Sequence, residues 1–139
     1  MKVDVAYKLN WSGDEVVKDM DEELMKSSMA TANRIAIDAK SRIHNVSGRL
    51  AGTIRARAAK KEKWKPGAFV FAGDRTQGIY WHYFVEYGTY DKSAHPFMRP
   101  AVDKNFNFMR AESEHAAKRA INKKRRGQTI HSPNWGGAR

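Results

Sequence analysis

The chain has no cysteine among its 139 residues. Disulfide frameworks and thiolate metal sites are thereby excluded. Long apolar runs are missing too. No stretch approaches the roughly 20 residues that a membrane-spanning helix needs, and Met1-Lys2-Val3-Asp4-Val5 has no apolar run of signal-peptide length. Synthesis in the cytosol is the expectation, with no membrane partner. Acidic residues are few beside basic ones: 15 Asp and Glu face 26 Lys and Arg, a formal net charge of +11. That excess points to an acidic partner, whether nucleic acid, an anionic surface or an acidic protein, and says nothing about fold. No nucleophile elbow, phosphate-cradling Gly-rich loop or Ser/His/Asp triad can be traced. Gly48, Gly67, Gly73, Gly78 and Gly88 stand at the ends of elements, where turns need them. The expectation is a protein without a catalytic site and without a cofactor.

What is present fits one domain with a real core. Lys2–Trp11 alternates, with Val3, Val5, Tyr7, Leu9 and Trp11 on one side, and predicts a half-buried strand. Ser12 followed by Glu15 is a capping-box pattern. From there to about His44 no proline occurs, and Val16, Met20, Leu24, Ser28, Ala32, Ile35, Ala39 and Ile43 recur at steps of three or four. This predicts one long helix with one apolar stripe. Small residues (Ser28, Ala32, Ala36, Ala39) fill its second half and allow another element to approach closely. A helix of about 30 residues is about 45 Å long. It is either a long core helix or one whose end projects into a partner.

Asn45-Val46-Ser47-Gly48 predicts the helix end. Leu50 to about Lys61, with its alternating Arg55-Ala56-Arg57-Ala58, predicts a strand with one basic face. Lys60 to Gly67 is a charged hairpin loop, with Pro66-Gly67 as its turn signal. Ala68–Gly73 is the clearest strand, buried on both faces or covered on one by a partner chain. Asp74–Gly78 is a polar turn. From Phe97 or Pro100 to Arg125 helical spacing returns, with prolines tolerated in a first turn and Gly127 closing the helix. The fold class that follows is α+β: a long N-terminal helix and a C-terminal helix packed on a small, mostly antiparallel sheet. Residues 1–126 form the domain, and 127–139 a basic flexible tail.

Between these elements lies Tyr80–Thr89, five of whose first eight residues are aromatic. Periodicity leaves it as either a strand or a short helix. Its one carboxylate, Glu86, resists burial unless paired. It is expected to accept hydrogen bonds from nearby backbone amides or to pair with Arg49 or Arg99. His82, Glu86, Asp91 and His95 also suggest a metal or acid–base site, and with it a metal-dependent nuclease, but at no recognised ligand spacing. Two basic blocks complete the inventory. The first holds Arg49, Arg55, Arg57, Lys60, Lys61, Lys63 and Lys65. The second runs from Lys118 to Arg126 and includes Lys123, Lys124, Arg125 and Arg126. Both suit phosphates bound without sequence preference and with strong salt dependence. No base-reading motif accompanies them.

Three short motifs in order suggest a family. They are Val46-Ser47-Gly48-Arg49-Leu50, then Tyr83 with Val85-Glu86-Tyr87-Gly88-Thr89, then His95-Pro96-Phe97-Met98-Arg99-Pro100-Ala101. The set resembles the neck and tail-completion proteins of long-tailed bacteriophages, similar to the minor tail protein Z of lambdoid phages. Ser47 stands where the pattern has Thr, the acidic-proline lead-in is absent, and the tail after Gly127 is outside the pattern. The resemblance implies a non-catalytic virion protein, made in the host cytoplasm. It would form a homo-oligomeric ring of six copies that joins the DNA-filled head to the tail. Its partners would be itself, head-closure or adaptor proteins, and tail-terminator or tail-tube proteins, with DNA passing non-specifically through the channel. On this reading the three motifs and Tyr90 form structural joints and subunit contacts, the Tyr90–His95 loop reaching a neighbour. The basic residues face partners rather than line the channel, since a channel of Lys and Arg would hold DNA. The alternative is a free-standing, sequence-independent nucleic-acid-binding protein.

Overall fold

The computed structural model describes residues 13–43, 48–60 and 66–127, the last four as backbone only. The expected strand Lys2–Trp11, the Ser12 cap, the turn residues Asn45–Ser47, the loop residues Lys61, Lys63 and Lys65, and the tail after Gly127 lie outside them. The fold is α+β: two thirty-residue helices, α1 (Gly13–Arg42) and α4 (Met98–Gly127), accompany a two-stranded antiparallel sheet.

α1 and α4 run antiparallel. Ion pairs fix the direction, because Asp19 meets Lys123, Glu23 meets Arg119, and Asp38 meets Lys104. The seam between them is built from small or short residues. Ser27 and Thr31 are buried on α1, and Ala101, Asn105, Ala116 and Ala120 on α4. Asn105 is satisfied on both sides: it accepts from Arg34 Nε at 2.9 Å and donates to the Ala101 carbonyl at 2.8 Å. Arg34 also lies over the Phe108 ring, 4.3 Å from its centroid.

The single stripe expected on α1 is a wider surface. Ser27 and Thr31 share a face with Glu23, Arg34 and Asp38 and turn to α4. Ile35, Ala36 and Ala39 pack in the core with Ile54, Phe97 and Ala101. No residue of α1 before Ser27 is buried. The N-terminal half of α1 therefore does extend past the main core, but alongside α4 and not as a lone projection.

The strand expected from Leu50 is shorter and starts later. Arg49–Thr53 is a helical turn, α2, and only Arg55–Ala58 is the strand β1. The cause is local. Gly48 takes φ +64° and starts the turn, and Gly52 N donates to the Gly48 carbonyl at 3.0 Å. Thr53 Oγ1 donates to the Leu50 carbonyl at 2.7 Å and accepts from Gly73 N at 2.9 Å. Such side-chain to backbone bonds compete with a strand ladder. The left-handed glycine was expected to close α1. It instead precedes α2, and α1 stops at Arg42.

β1 pairs with β2 (Ala68–Phe71) in the register Arg55–Phe71 and Arg57–Phe69. One face of this hairpin is thus Arg55, Arg57, Phe69 and Phe71. The other turns Ala56 and Val70 toward α1. Phe69 and Phe71 are 41% and 45% exposed, so this face of β2 is only partly covered. The turn after β2 is polar, as expected. Asp74 and Ile79 form an antiparallel bridge, and Asp74 Oδ1 accepts from both the amide and the hydroxyl of Thr76.

Candidate functional site

Tyr80–Thr89 resolves as a helix. α3 spans His82–Tyr87, and the following loop returns the chain to α4. Gly88 ends α3 with its amide on the Phe84 carbonyl at 2.9 Å. Its φ of +78° and ψ of 179° belong to a region open to glycine alone. A Cβ there would lie 2.8 Å from both the Lys92 carbonyl oxygen and the Ala94 nitrogen. The loop behind it is closed by two bonds between Thr89 and Lys92, and His95 N donates back to the Val85 carbonyl at 2.8 Å. Tyr90, at the loop's apex, is fully exposed.

Glu86 is the centre of this joint. It is 6% exposed. Oε2 accepts from the amides of Phe97 and Met98, both at 2.9 Å, and Oε1 accepts from the amide and Nε of Arg99, both at 3.1 Å. The guanidinium continues to the Glu86 carbonyl at 3.2 Å and lies over the Tyr87 ring at 4.8 Å. A helix start leaves four amide positions without an internal partner. At α4 these are Phe97, Met98, Arg99 and Pro100. Glu86 takes the first three, and the fourth is a proline with no N–H to satisfy. A carboxylate here also faces the positive end of the α4 dipole. Burial alone pushes the Glu86 pKa up. The amides of Met98, Phe97 and Arg99 and the Arg99 side chain outweigh it and hold the carboxyl below its ordinary value. The expectation of backbone acceptance or an arginine partner is met in both forms, with Arg99 and not Arg49. Arg49 instead lies 5.8 Å from the centroid of the Trp81 ring. It thereby places the Gly48–Leu50 turn beside the start of α3, while Leu50 itself is buried.

The structure thus brings Glu86, Tyr87, Gly88, Phe97, Arg99 and Pro100 into one unit, with Thr89, His95 and Pro96 in the loop that closes it. Tyr83 and Tyr87 stack with ring centroids 4.6 Å apart, and both remain more than half exposed. Phe71 borders a cavity with both of them, Phe84 meets Tyr83 edge-on at 6.3 Å, and Tyr80 is also exposed. A cavity of about 620 Å³ opens on the other side of α3, lined by Trp81, Phe84, Val85, Thr89 and His95 among others.

The suggested metal site does not assemble. Among the described residues no three His, Asp or Glu side chains are grouped to hold an ion. Both oxygens of Glu86 are occupied by α4, and the convergence that a metal nuclease would need from His82, Glu86 and His95 is absent. His82 packs against Gly73 instead, where an added Cβ would collide with its ring.

The basic blocks are partly neutralised within the chain. Arg55 pairs with Asp74 at 3.3 Å, Arg119 with Glu23 and Glu112 at 3.1 and 3.0 Å, and Lys123 with Asp19 at 2.9 Å. Arg57, Lys60 and Lys118 are exposed, and Lys124, Arg125 and Arg126 belong to the last turn of α4. The acidic partners escaped the sequence reading. A signal for them exists: Asp19 and Glu23 are four apart, as are Arg119 and Lys123, which is what two antiparallel helices need to pair twice. Ser47, Lys61 and Lys63 lie outside the described residues. No helix among those described is long and apolar enough to cross a membrane. Comparisons with family models, curated proteins and solved structures found no match to this chain.

Proposed function

We propose that this chain is a non-catalytic structural protein of a tailed-phage neck. Copies of it form a ring that joins the DNA-filled head to the tail. One observation carries the reading: the motif residues are used to hold a joint rigid, and that joint displays aromatic side chains to the outside. Glu86 locks α3 to α4, while Tyr80, Tyr83, Phe84, Tyr87 and Tyr90 around it are 49% to 104% exposed. A rigid apolar surface of this kind suits protein–protein contact. The three motifs support the same reading, since the second supplies the carboxylate and the third supplies the amides it holds. The partial pairing of basic residues inside the chain favours an assembly role over a continuous phosphate-binding patch.

The test is native mass spectrometry of the purified chain with electron microscopy of particles. The expected outcome is a closed oligomer of six copies, located at the head–tail junction. Loss of the gene is expected to leave heads and tails unjoined. A chain that stays monomeric at all concentrations, with particles normal in its absence, would end the proposal. Tight, salt-sensitive DNA binding by that monomer, lost when Lys123, Lys124, Arg125 and Arg126 become Ala, would establish the nucleic-acid-binding alternative.

A further inference from the structure

The cavity beside α3 has a floor and a rim of different chemistry. Trp81, Phe84 and Val85 make the floor. Thr89, Lys92, Ser93 and His95 make the rim, with two hydroxyls, a cation and an imidazole. Among the described residues that line it none is acidic. Arg49, 5.8 Å from the Trp81 ring centroid, adds a second cation nearby. At about 620 Å³ the cavity is in the size range of sites that enclose a ligand. Its floor suits a ring, since aromatic side chains gain from offset or edge-on packing. Its rim suits an acidic group next to that ring.

The loop that forms the rim also carries a group of that kind. Tyr90 is at its apex, fully exposed, and Asp91 follows it, exposed as well. A single exposed tyrosine is ordinary. What distinguishes Tyr90 is its mounting. Two bonds between Thr89 and Lys92, at 2.9 and 3.3 Å, close the turn that bears it. The His95 amide ties the loop to Val85, and the backbone packs so closely at Gly88 that no side chain fits there. A side chain held out on a closed turn loses little freedom when it is covered, which favours binding. Tyr90 does not fill the cavity of its own chain, since its exposure is complete. We infer that Tyr90 of one copy enters the Trp81–Phe84 cavity of another, and that Asp91 beside it meets Lys92 on the rim. The occupant is a second copy because its loop meets both demands at once, a ring for the floor and a carboxylate for the basic rim. The inference rests on the reading that copies of this chain assemble, and it names which residue inserts and what receives it. Given from each copy to the next, the contact is head-to-tail, the kind that closes into rings.

Analytical ultracentrifugation of the full chain tests this with two variants. Tyr90→Ala lacks the inserting ring, and Phe84→Glu sets a carboxylate on the floor against the incoming Asp91. Both positions are exposed, and thermal melts matching wild type establish that each variant folds. Each alone is expected to assemble about tenfold more weakly than wild type, or worse, while Tyr90→Phe assembles nearly as wild type does. Mixed, the two variants are expected to form a dimer and stop there. An intact Tyr90 on one chain then meets an intact cavity on the other, and no further contact can follow. A mixture that stays monomeric would overturn the inference. Tyr90→Ala that assembles like wild type would also overturn it, and would leave the ring reading standing. A wild-type chain that forms only pairs, lost in Tyr90→Ala, would keep the contact and remove the ring. A wild-type chain monomeric at every concentration would remove both. Should Phe84→Glu fail to fold, charge reversal takes its place: Asp91→Lys is expected to weaken assembly, and Asp91→Lys with Lys92→Asp to restore it. Absence of that rescue would overturn the contact.

Discussion

Two regions of this molecule use the same carboxylate chemistry under opposite conditions. At the joint before α4, Glu86 is buried and holds three backbone amides and one guanidinium at 2.9 to 3.1 Å. Along the α1–α4 seam, Asp19, Glu23 and Asp38 meet Lys123, Arg119 and Lys104 at 2.9 to 3.1 Å as well, but at the surface, with the cations about half or more exposed. Distance does not separate the two. What separates them is the alternative each donor has. A seam lysine released from its partner is solvated at once. The amides of Phe97, Met98 and Arg99 sit at a packed helix start, beside a fully buried Phe97, where no other acceptor waits. The joint is therefore expected to matter for stability, and the seam pairs to favour one antiparallel alignment of the helices.

The largest expected effect comes from removing the carboxylate. Glu86→Ala is expected to cost about 3–5 kcal/mol in denaturant unfolding, the range for breaking a buried charged network from one side. A cost under about 1 kcal/mol would mean that water replaces the carboxylate and that the joint resembles the seam. Next is Gly88→Ala, which forces a side chain into glycine-only backbone and against the Lys92 carbonyl. The expected loss is about 1–3 kcal/mol, and unchanged stability would show that the loop shifts freely.

A smaller and more diagnostic effect is the pH dependence. The Glu86 carboxyl is held below its ordinary value of 4.5 in the folded chain. Its contribution is thus complete above that value and is lost as pH falls through the folded value. The stability gap between wild type and Glu86→Gln is expected to narrow as pH is lowered from 6 toward 3. A gap constant over that range would remove the charge from the explanation. Smallest of all is Arg119→Ala with Lys123→Ala. These residues are exposed, and the melting temperature is expected to stay within experimental scatter at low and high salt. A loss matching that of Glu86→Ala would erase the distinction between the two regions.

Much of the architecture is legible in the residues. The proline-free run from Gly13 to Arg42 and the apolar spacing after Pro96 mark both long helices. The apolar run from Ala68 and the Pro66-Gly67 turn mark the hairpin. Two places misled or stayed open for physical reasons. The strand expected from Leu50 began too early, because Thr53 bonds Leu50 and Gly73 through its side chain, and the partner Gly73 is 20 residues away. Tyr80–Thr89 stayed open because six helical residues are too few for periodicity to choose between a helix and a strand. Glu86 was expected to accept from nearby backbone amides or to pair with Arg49 or Arg99. Which amides it holds was not legible.

The sequence by itself determined the helices, the hairpin and the need for Glu86 to find partners, since periodicity, turn chemistry and the cost of burying a charge act over a few residues. The tertiary structure alone decided that those partners are the first three amides of α4, with Pro100 filling the fourth position. It also decided that three of the seven acidic residues of α1 (Asp19, Glu23 and Asp38) answer cations of α4. Each of these joins segments far apart in the chain, and only packing brings them within hydrogen-bond reach.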